Sequence, residues 1–171
     1  DAAEQMFAGL YSIKHVGWFD FLKPEEVVSF EIVALREQIA FYISCPRKIR
    51  DLVEKQVNGA YPTAEIKEVD EVNIFNEKGR VAYAELSLEK GNFFPIKPFK
   101  DLPTDGLSLI TSALSKMGEG EGAALQILIQ PLSRKWQDGG RNYIQAQKKR
   151  ESDPNKATYA HDPKEMEAIN T

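Results

Sequence analysis

Residues 27–66 read VVSFEIVALREQIAFYISCPRKIRDLVEKQVNGAYPTAEI, and along them the spacing of apolar side chains changes from two to three-and-four and back. No other stretch restricts the possible folds as tightly. Val28, Phe30, Ile32 and Ala34 alternate with Ser29, Glu31 and Val33, the period of a strand that buries one face. A polar turn at Arg36, Glu37 and Gln38 leads to Ile39, Phe41 and Ile43, which restore the alternation and predict the second arm of an antiparallel hairpin. Pro46 then stands where a helix can begin, because the first helical residue needs no amide hydrogen. Ile49, Leu52, Val53, Gln56, Val57 and Ala60 recur at helical spacing, leaving Arg47, Lys48, Arg50, Asp51, Glu54 and Lys55 for water. Asn58-Gly59 and Tyr61-Pro62 close this helix. Residues 64–69 predict a third strand, with Ala64 and Ile66 inward and Glu65, Glu68, Asp70 and Glu71 as a solvated edge.

Around this β-β-α-β unit the remaining patterns fall into place. Met6, Phe7, Leu10 and Ile13 predict an amphipathic helix over residues 2–15 that must dock on another element, and Gly17 ends it. Trp18, Phe19, Phe21 and Leu22 form an aromatic knot before Pro24, which serves as core packing when buried and as a partner site when exposed. After a turn at Asn76-Glu77-Lys78-Gly79, Ala82, Ala84, Leu86 and Leu88 alternate with Tyr83, Glu85, Ser87 and Glu89, a fourth strand. The prolines of residues 93–103, FFPIKPFKDLP, forbid a helix and predict an ordered surface crossing, with Asp101 and Thr104 as candidate caps. Leu107, Ile110, Ala113, Leu114 and Met117 predict a third helix with a buried stripe, stopped by Gly118, Gly120 and Gly122. Leu125, Ile127 and Ile129, with Leu128 on the other face, predict a fifth strand apolar enough to be central. A final helix over residues 133–151 sets Trp136, Gly140, Tyr143, Ile144 and Gln147 on one face. The order α, β-β-α-β, β-α-β, α predicts an α+β fold: a ferredoxin-like sandwich, an antiparallel sheet with helices on one face, extended by a helix at each end. One domain over residues 1–151 is expected, followed by a polar linker or tail over 152–171.

Composition narrows the function classes. A net charge of −4 argues against coating nucleic acid by bulk charge. The single cysteine, Cys45, permits neither an internal disulfide nor a CxxC pair, which fits a reducing compartment. No apolar run approaches the roughly 20 residues that span a bilayer, and residues 1–15 lack the pattern of a signal peptide, so direct membrane insertion is not expected. A cytoplasmic location follows as the expectation. The first and last residues both read as helices interrupted, the pattern of a piece of a longer protein. His15 and His161, the two histidines, have no partner at ligand spacing, so no metal and no cofactor is implied.

Three motifs invite chemistry and meet objections. Gly118, Gly120 and Ala123 satisfy GxGxxA, yet a helix precedes and a strand follows, the reverse of a dinucleotide site, and Glu119 and Glu121 repel phosphate. Cys45 precedes a helix start beside Arg47 and Lys48, a setting that lowers a thiol pKa and suits a cysteine-dependent enzyme, but no oriented base accompanies it. Lys78-Gly79-Arg80-Val81-Ala82-Tyr83 echoes the base-stacking motif of ferredoxin-like RNA-recognition modules and so of single-strand binding. It departs from that motif at Arg80 and Val81, and Glu85 and Glu89 share the face of Tyr83. The last helix and its approach carry Arg134, Lys135, Arg141, Lys148, Lys149 and Arg150 against Asp138 and Glu151, a basic strip suited to a protein or phosphate contact and otherwise a solvated face. No GxxxxGK[ST] motif is present, so ATP binding through a P-loop would lie outside these residues.

The segments EQMFAGLYSI, VSFEIVA, IAFYISCPRKIRDLVEKQVNGAYPTAEI and LQILIQPLSRKWQDGGRNYI together resemble the amino-terminal region of bacterial conjugation-type ATPases, the type IV secretion DNA-binding or coupling ATPases. The similarity runs from about Glu4 to Ile144, most tellingly in the FEIVA strand, the junction from Tyr42 to Asp51 and the step from Tyr61 to Ile66. It implies a non-catalytic α+β accessory module ahead of a P-loop motor, used in assembly. The partners it implies are other domains or subunits of the parent ATPase and secretion-complex proteins at the cytoplasmic face of the membrane. The Walker residues of that family have no counterpart in this sequence. The aromatic knot, Trp18 to Leu22, and the basic final helix are the candidate contact surfaces.

Overall fold

The hairpin predicted by residues 28–43 forms the centre of the fold, and its two ladders decide where everything in the first unit lies. In the computed structural model, which describes residues 2–13, 26–96, 101–132 and 136–151, β1 (Val28–Leu35) pairs antiparallel with β2 (Gln38–Ser44) from Ser29 opposite Ser44 to Leu35 opposite Gln38. The turn between them is only two residues long. Arg36 and Glu37 take φ of 52° and 61°, the pair of positive values that a type I′ turn demands to match the twist of its strands. On its other side β1 pairs antiparallel with β3 (Gly122–Ile129), giving a three-stranded sheet in the order β2-β1-β3. Central β1 is accordingly the most buried strand, with Val28, Val33 and Ala34 almost fully covered. With four helices among the described residues, α1 (Ala2–Leu10), α2 (Arg50–Ala60), α3 (Gly106–Leu114) and α4 (Trp136–Glu151), this is an α+β fold.

The packing of α1 and α2 follows the sequence periodicity. Met6 and Leu10 on α1, and Ile13 on the 3₁₀ turn that continues it, lie on one face and are buried. Leu10, Ile13, Val28 and Val53 make the core cluster, with Phe30, Ile49, Leu52, Val57 and Ile129 packed around it. Phe7 flanks this core and meets Phe30 edge-on, ring centroids 5.2 Å apart. Every residue expected on the wet side of α2, from Arg47 to Lys55, is exposed. Glu26, buried just before β1, is paired with Lys48. The start of α2 differs from expectation: Pro46 (φ −57°, ψ 139°) precedes a single 3₁₀ turn, Arg47–Ile49, and the α-helix begins at Arg50. Neither Pro46 nor Ile49 offers a capping side chain, so the tighter turn satisfies the first donors instead, with the Ile49 N–H donating to the Pro46 carbonyl at 3.0 Å.

Several expectations are corrected. The strands predicted over 64–69 and around 82–88 are not strands: both segments are irregular, exposed and outside the sheet. Alternation fits a chain for pairing but does not supply a partner. In the first segment Glu68 is held instead by Arg50 on the exposed side of α2, at 3.2 Å. The turn between the segments does form, with the Gly79 N–H donating to the Asn76 carbonyl at 2.9 Å and the Asn76 side chain accepting from Lys78. β3 is an edge strand rather than a central one, because β1 takes the middle. The stripe predicted on α3 is not buried: Leu107, Leu109 and Ile110 are exposed, and no residue of this helix is fully covered.

The chain divides into two units, one of Asp1–Ala82 with Gly106–Pro131, the other of Tyr83–Asp105 with Leu132–Thr171. The second is organised by aromatic contacts, Phe94 meeting Tyr143 of α4 edge-on at 5.1 Å and Phe93 meeting it at 5.6 Å. Gly140, Ile144 and Gln147 are the buried positions on α4 among the described side chains, on the face that periodicity assigns them. Lys90 lies over the ring of Phe94, 5.0 Å from its centroid.

Candidate interaction surface

The register of the two ladders places Val28, Phe30, Ile32 and Ala34 on one face of the sheet, with Ile39, Phe41 and Ile43 from β2 and Ala123, Leu125, Ile127 and Ile129 from β3 beside them. Every one of these side chains is apolar. Helices α1 and α2 cover the part around Val28 and Phe30. The flanks stay open: Phe41 is 67% exposed and Ile127 53%. On the opposite face Glu31 accepts a hydrogen bond from Gln126 at 3.2 Å, and Ser29, Gln38 and Ser44 stand beside the apolar Val33, Leu35 and Leu128, so that face is mixed. The first unit thus shows water two apolar flanks, one on each side of the covered β1, on the face that carries its core. Periodicity assigned Phe41 and Ile127 inward, and nothing in the sequence signals that the covering helices stop short of them.

Of the surfaces suggested by sequence, the aromatic knot of Trp18, Phe19, Phe21 and Leu22 lies outside the described residues, as do Arg134, Lys135, His15 and His161. The basic strip is present on α4 in part. Arg141 and Lys148 stand seven residues apart, two helical turns, and so lie along one line, with Lys149 beside it, all exposed. Arg141 is engaged by Asp138 at 3.3 Å, which reduces the positive charge the strip presents. Arg150 is the penultimate residue of the same helix.

Cys45 is half-buried at the end of β2, where burial pushes its thiol above the ordinary 9.0 and the nearby Arg50 only partly offsets this. A thiol protonated at neutral pH is a poor nucleophile, and this departs from the lowered pKa expected of a cysteine before a helix start. In the glycine-rich loop the order is helix, loop, strand, and the Glu121 carboxylate accepts the Gly118 N–H at 2.8 Å, occupying a donor that a phosphate would need. Tyr83 is 85% exposed but lies on no strand, so it does not stand on a sheet as a base-stacking platform would.

One cleft went unsuspected from sequence. About 570 Å³ in volume, it opens beside the hairpin tip and is lined by Leu35, Arg36, Ile74, Phe75, Lys78 and Glu121 among others. Next to it, at Gly122, a Cβ would stand 2.8 Å from the carbonyl oxygen of Ile74, so the two backbones meet only across a glycine. Arg36 and Lys78 are balanced by Glu77 and Glu121 around the rim, which gives the cleft no marked preference for either sign of charge.

Among the described residues no helix is long and apolar enough to cross a membrane. No curated protein and no solved structure matches the chain. The family model described as Domain of unknown function (DUF8128) matches residues 1–163. With almost the whole length covered, the chain belongs to the DUF8128 family.

Proposed function

We propose that this chain is a non-catalytic assembly module of a larger type IV secretion or conjugation ATPase, acting at the cytoplasmic face of the membrane. The observation that carries the reading is the apolar flank of the sheet left open at Phe41 and Ile43 on β2, with Ile127 exposed on the other flank, since exposed apolar patches of this kind mark partner sites. The partner class comes from the resemblance of the FEIVA strand, the Tyr42 to Asp51 junction and the Tyr61 to Ile66 step to the amino-terminal region of such ATPases. A ferredoxin-like arrangement is the finer form of the fold that this reading favours, and its support is the hairpin followed by a helix that covers one sheet face. The strip of Arg141, Lys148 and Lys149 supplies a second, polar contact on the other unit.

The test reads whatever coding sequence follows Thr171 in the gene and measures binding of this chain to any segment it encodes by calorimetry. A GxxxxGK[ST] motif there, with binding weakened about tenfold or more by Ile127→Asp, is the expected result. Absence of a P-loop refutes the ATPase assignment. Full affinity in the Ile127→Asp variant refutes the role of the sheet face.

A further inference from the structure

Strand β2 is an edge of the sheet: β1 lies along one side and, among the described residues, no strand lies along the other. Natural sheets guard such edges with lysine, proline, an inward charge or a bulge. The residues of β2, QIAFYIS, carry no charge and no proline, and the ladder to β1 runs from Ser44 to Gln38 without a bulge. The hairpin turn fixes which of its backbone groups point outward. Across a two-residue turn the flanking pair, Leu35 and Gln38, exchanges both hydrogen bonds. The alternation then turns the N–H and C=O of Gln38, Ala40, Tyr42 and Ser44 toward β1, and those of Ile39, Phe41 and Ile43 away from it.

We infer that β2 is a self-recognition edge whose partner is a second copy of this chain, paired antiparallel about a twofold axis through Phe41. This rests on the assembly reading above and names the partner. A twofold contact must be self-complementary, and on the face of Phe41 the residues on either side are, with Ile39 and Ile43 flanking it at equal distances; on the other face Ala40 meets Tyr42, the one unequal pair next to the axis. The second copy then sets Phe41 against Phe41 and Ile39 against Ile43. Each outward N–H of one strand finds an outward C=O of the other, and no like charges oppose. The two three-stranded sheets become one of six strands, and the exposed Phe41 ring is covered by its symmetry mate. β3, the opposite edge, lacks this symmetry. It runs from small residues, Gly122 to Ala124, to large ones, Ile127 to Ile129, so an antiparallel copy in full register would set large against small.

Cysteine cross-linking decides the matter in a Cys45→Ser background. In the inferred pairing the two copies of residue 41 are a hydrogen-bonded pair with Cα atoms about 5.5 Å apart, within disulfide reach. Two copies of residue 39 stand four residues apart along the strand, about 13 Å, beyond it. Under mild oxidation Phe41→Cys chains are expected to become disulfide-linked dimers, Ile39→Cys chains to stay monomeric, and an equal mixture of Ile39→Cys with Ile43→Cys chains to link. Phe41 is an exposed residue, so its replacement leaves the fold intact, which circular dichroism verifies. A folded Phe41→Cys chain that stays monomeric overturns the inference, as it would if another segment of the same chain covers β2. Equal linking at 39 and 41 overturns it as well, since that is random collision. A monomer in light scattering at 100-micromolar order also refutes the dimer but leaves the assembly reading intact, because that reading is judged by binding to the downstream segment.

Discussion

Replacing Leu10 by alanine tests whether α1 is an integral part of the core. Leu10 is 3% exposed and touches the cluster formed by Ile13, Val28 and Val53. A helix of nine residues does not persist alone in water, so α1 holds its place through this face. Truncating a buried leucine removes its transfer energy and leaves a cavity, together about 3 kcal/mol. In a chain of this length that is a fall in midpoint temperature of about 6–12 °C, or a shift of about 1.5 M in urea with a slope near 2 kcal/mol/M. Phe7→Ala on the same helix supplies the internal comparison. Phe7 is 43% exposed and makes one edge-on ring contact, so its loss is worth about 1–2 kcal/mol. Urea unfolding followed by circular dichroism gives the two losses. Hydrogen exchange resolved by peptide shows residues 2–13 losing protection first in Leu10→Ala. A loss below about 1 kcal/mol for Leu10→Ala, or a larger loss for Phe7→Ala, refutes the placement of α1 on α2 and β1.

Two further outcomes follow from local geometry and charge. Arg36→Asn with Glu37→Gly puts turn-adapted residues at two positive φ values and is expected to raise stability by about 1–2 kcal/mol; a loss would mean the turn is not type I′. Cys45 has a folded pKa above its unfolded 9.0, so its contribution to stability is complete below pH 9 and is lost as pH rises through the folded value. Iodoacetamide labelling of the native chain is therefore expected to be slower than that of the urea-unfolded chain at pH 8, and native labelling that is faster would restore Cys45 as a candidate nucleophile.

Helix α2 shows what was legible in the sequence. Its apolar and charged residues alternate at a period that only a helix satisfies, and each lands on the side it indicates. The hairpin was legible for the same reason. Its turn type was not, because Arg36 and Glu37 are poor residues for positive φ and are held there by the strands they join. Residues 64–69 and 82–88 alternate as well as β2 does, but a strand is a relation between two segments, and a period within one segment cannot name the other. The candidate surface was hidden in a similar way. Phe41 and Ile127 carry the pattern of inward residues, and their exposure depends on how far α1 and α2 reach across the sheet, a length set by tertiary packing. The basic face of α4 was readable as charge, whereas the Asp138 contact that engages Arg141 was visible only as a spacing of three.

The pairing of β1 with β3 has a consequence for the order of folding. Glu31 and Gln126, neighbours across that ladder, are 95 residues apart in the chain, while the hairpin closes across two. Closing the longer loop costs on the order of 4 kcal/mol in chain entropy before any contact offsets it. The hairpin, with α1 and α2 docked on it, therefore forms early, and β3 arrives last. During synthesis from the amino terminus β1 spends that interval with one ladder unmade, a second edge as open as that of β2. The period between emergence of residue 44 and arrival of residue 122 is when this chain is most exposed to strand-to-strand aggregation.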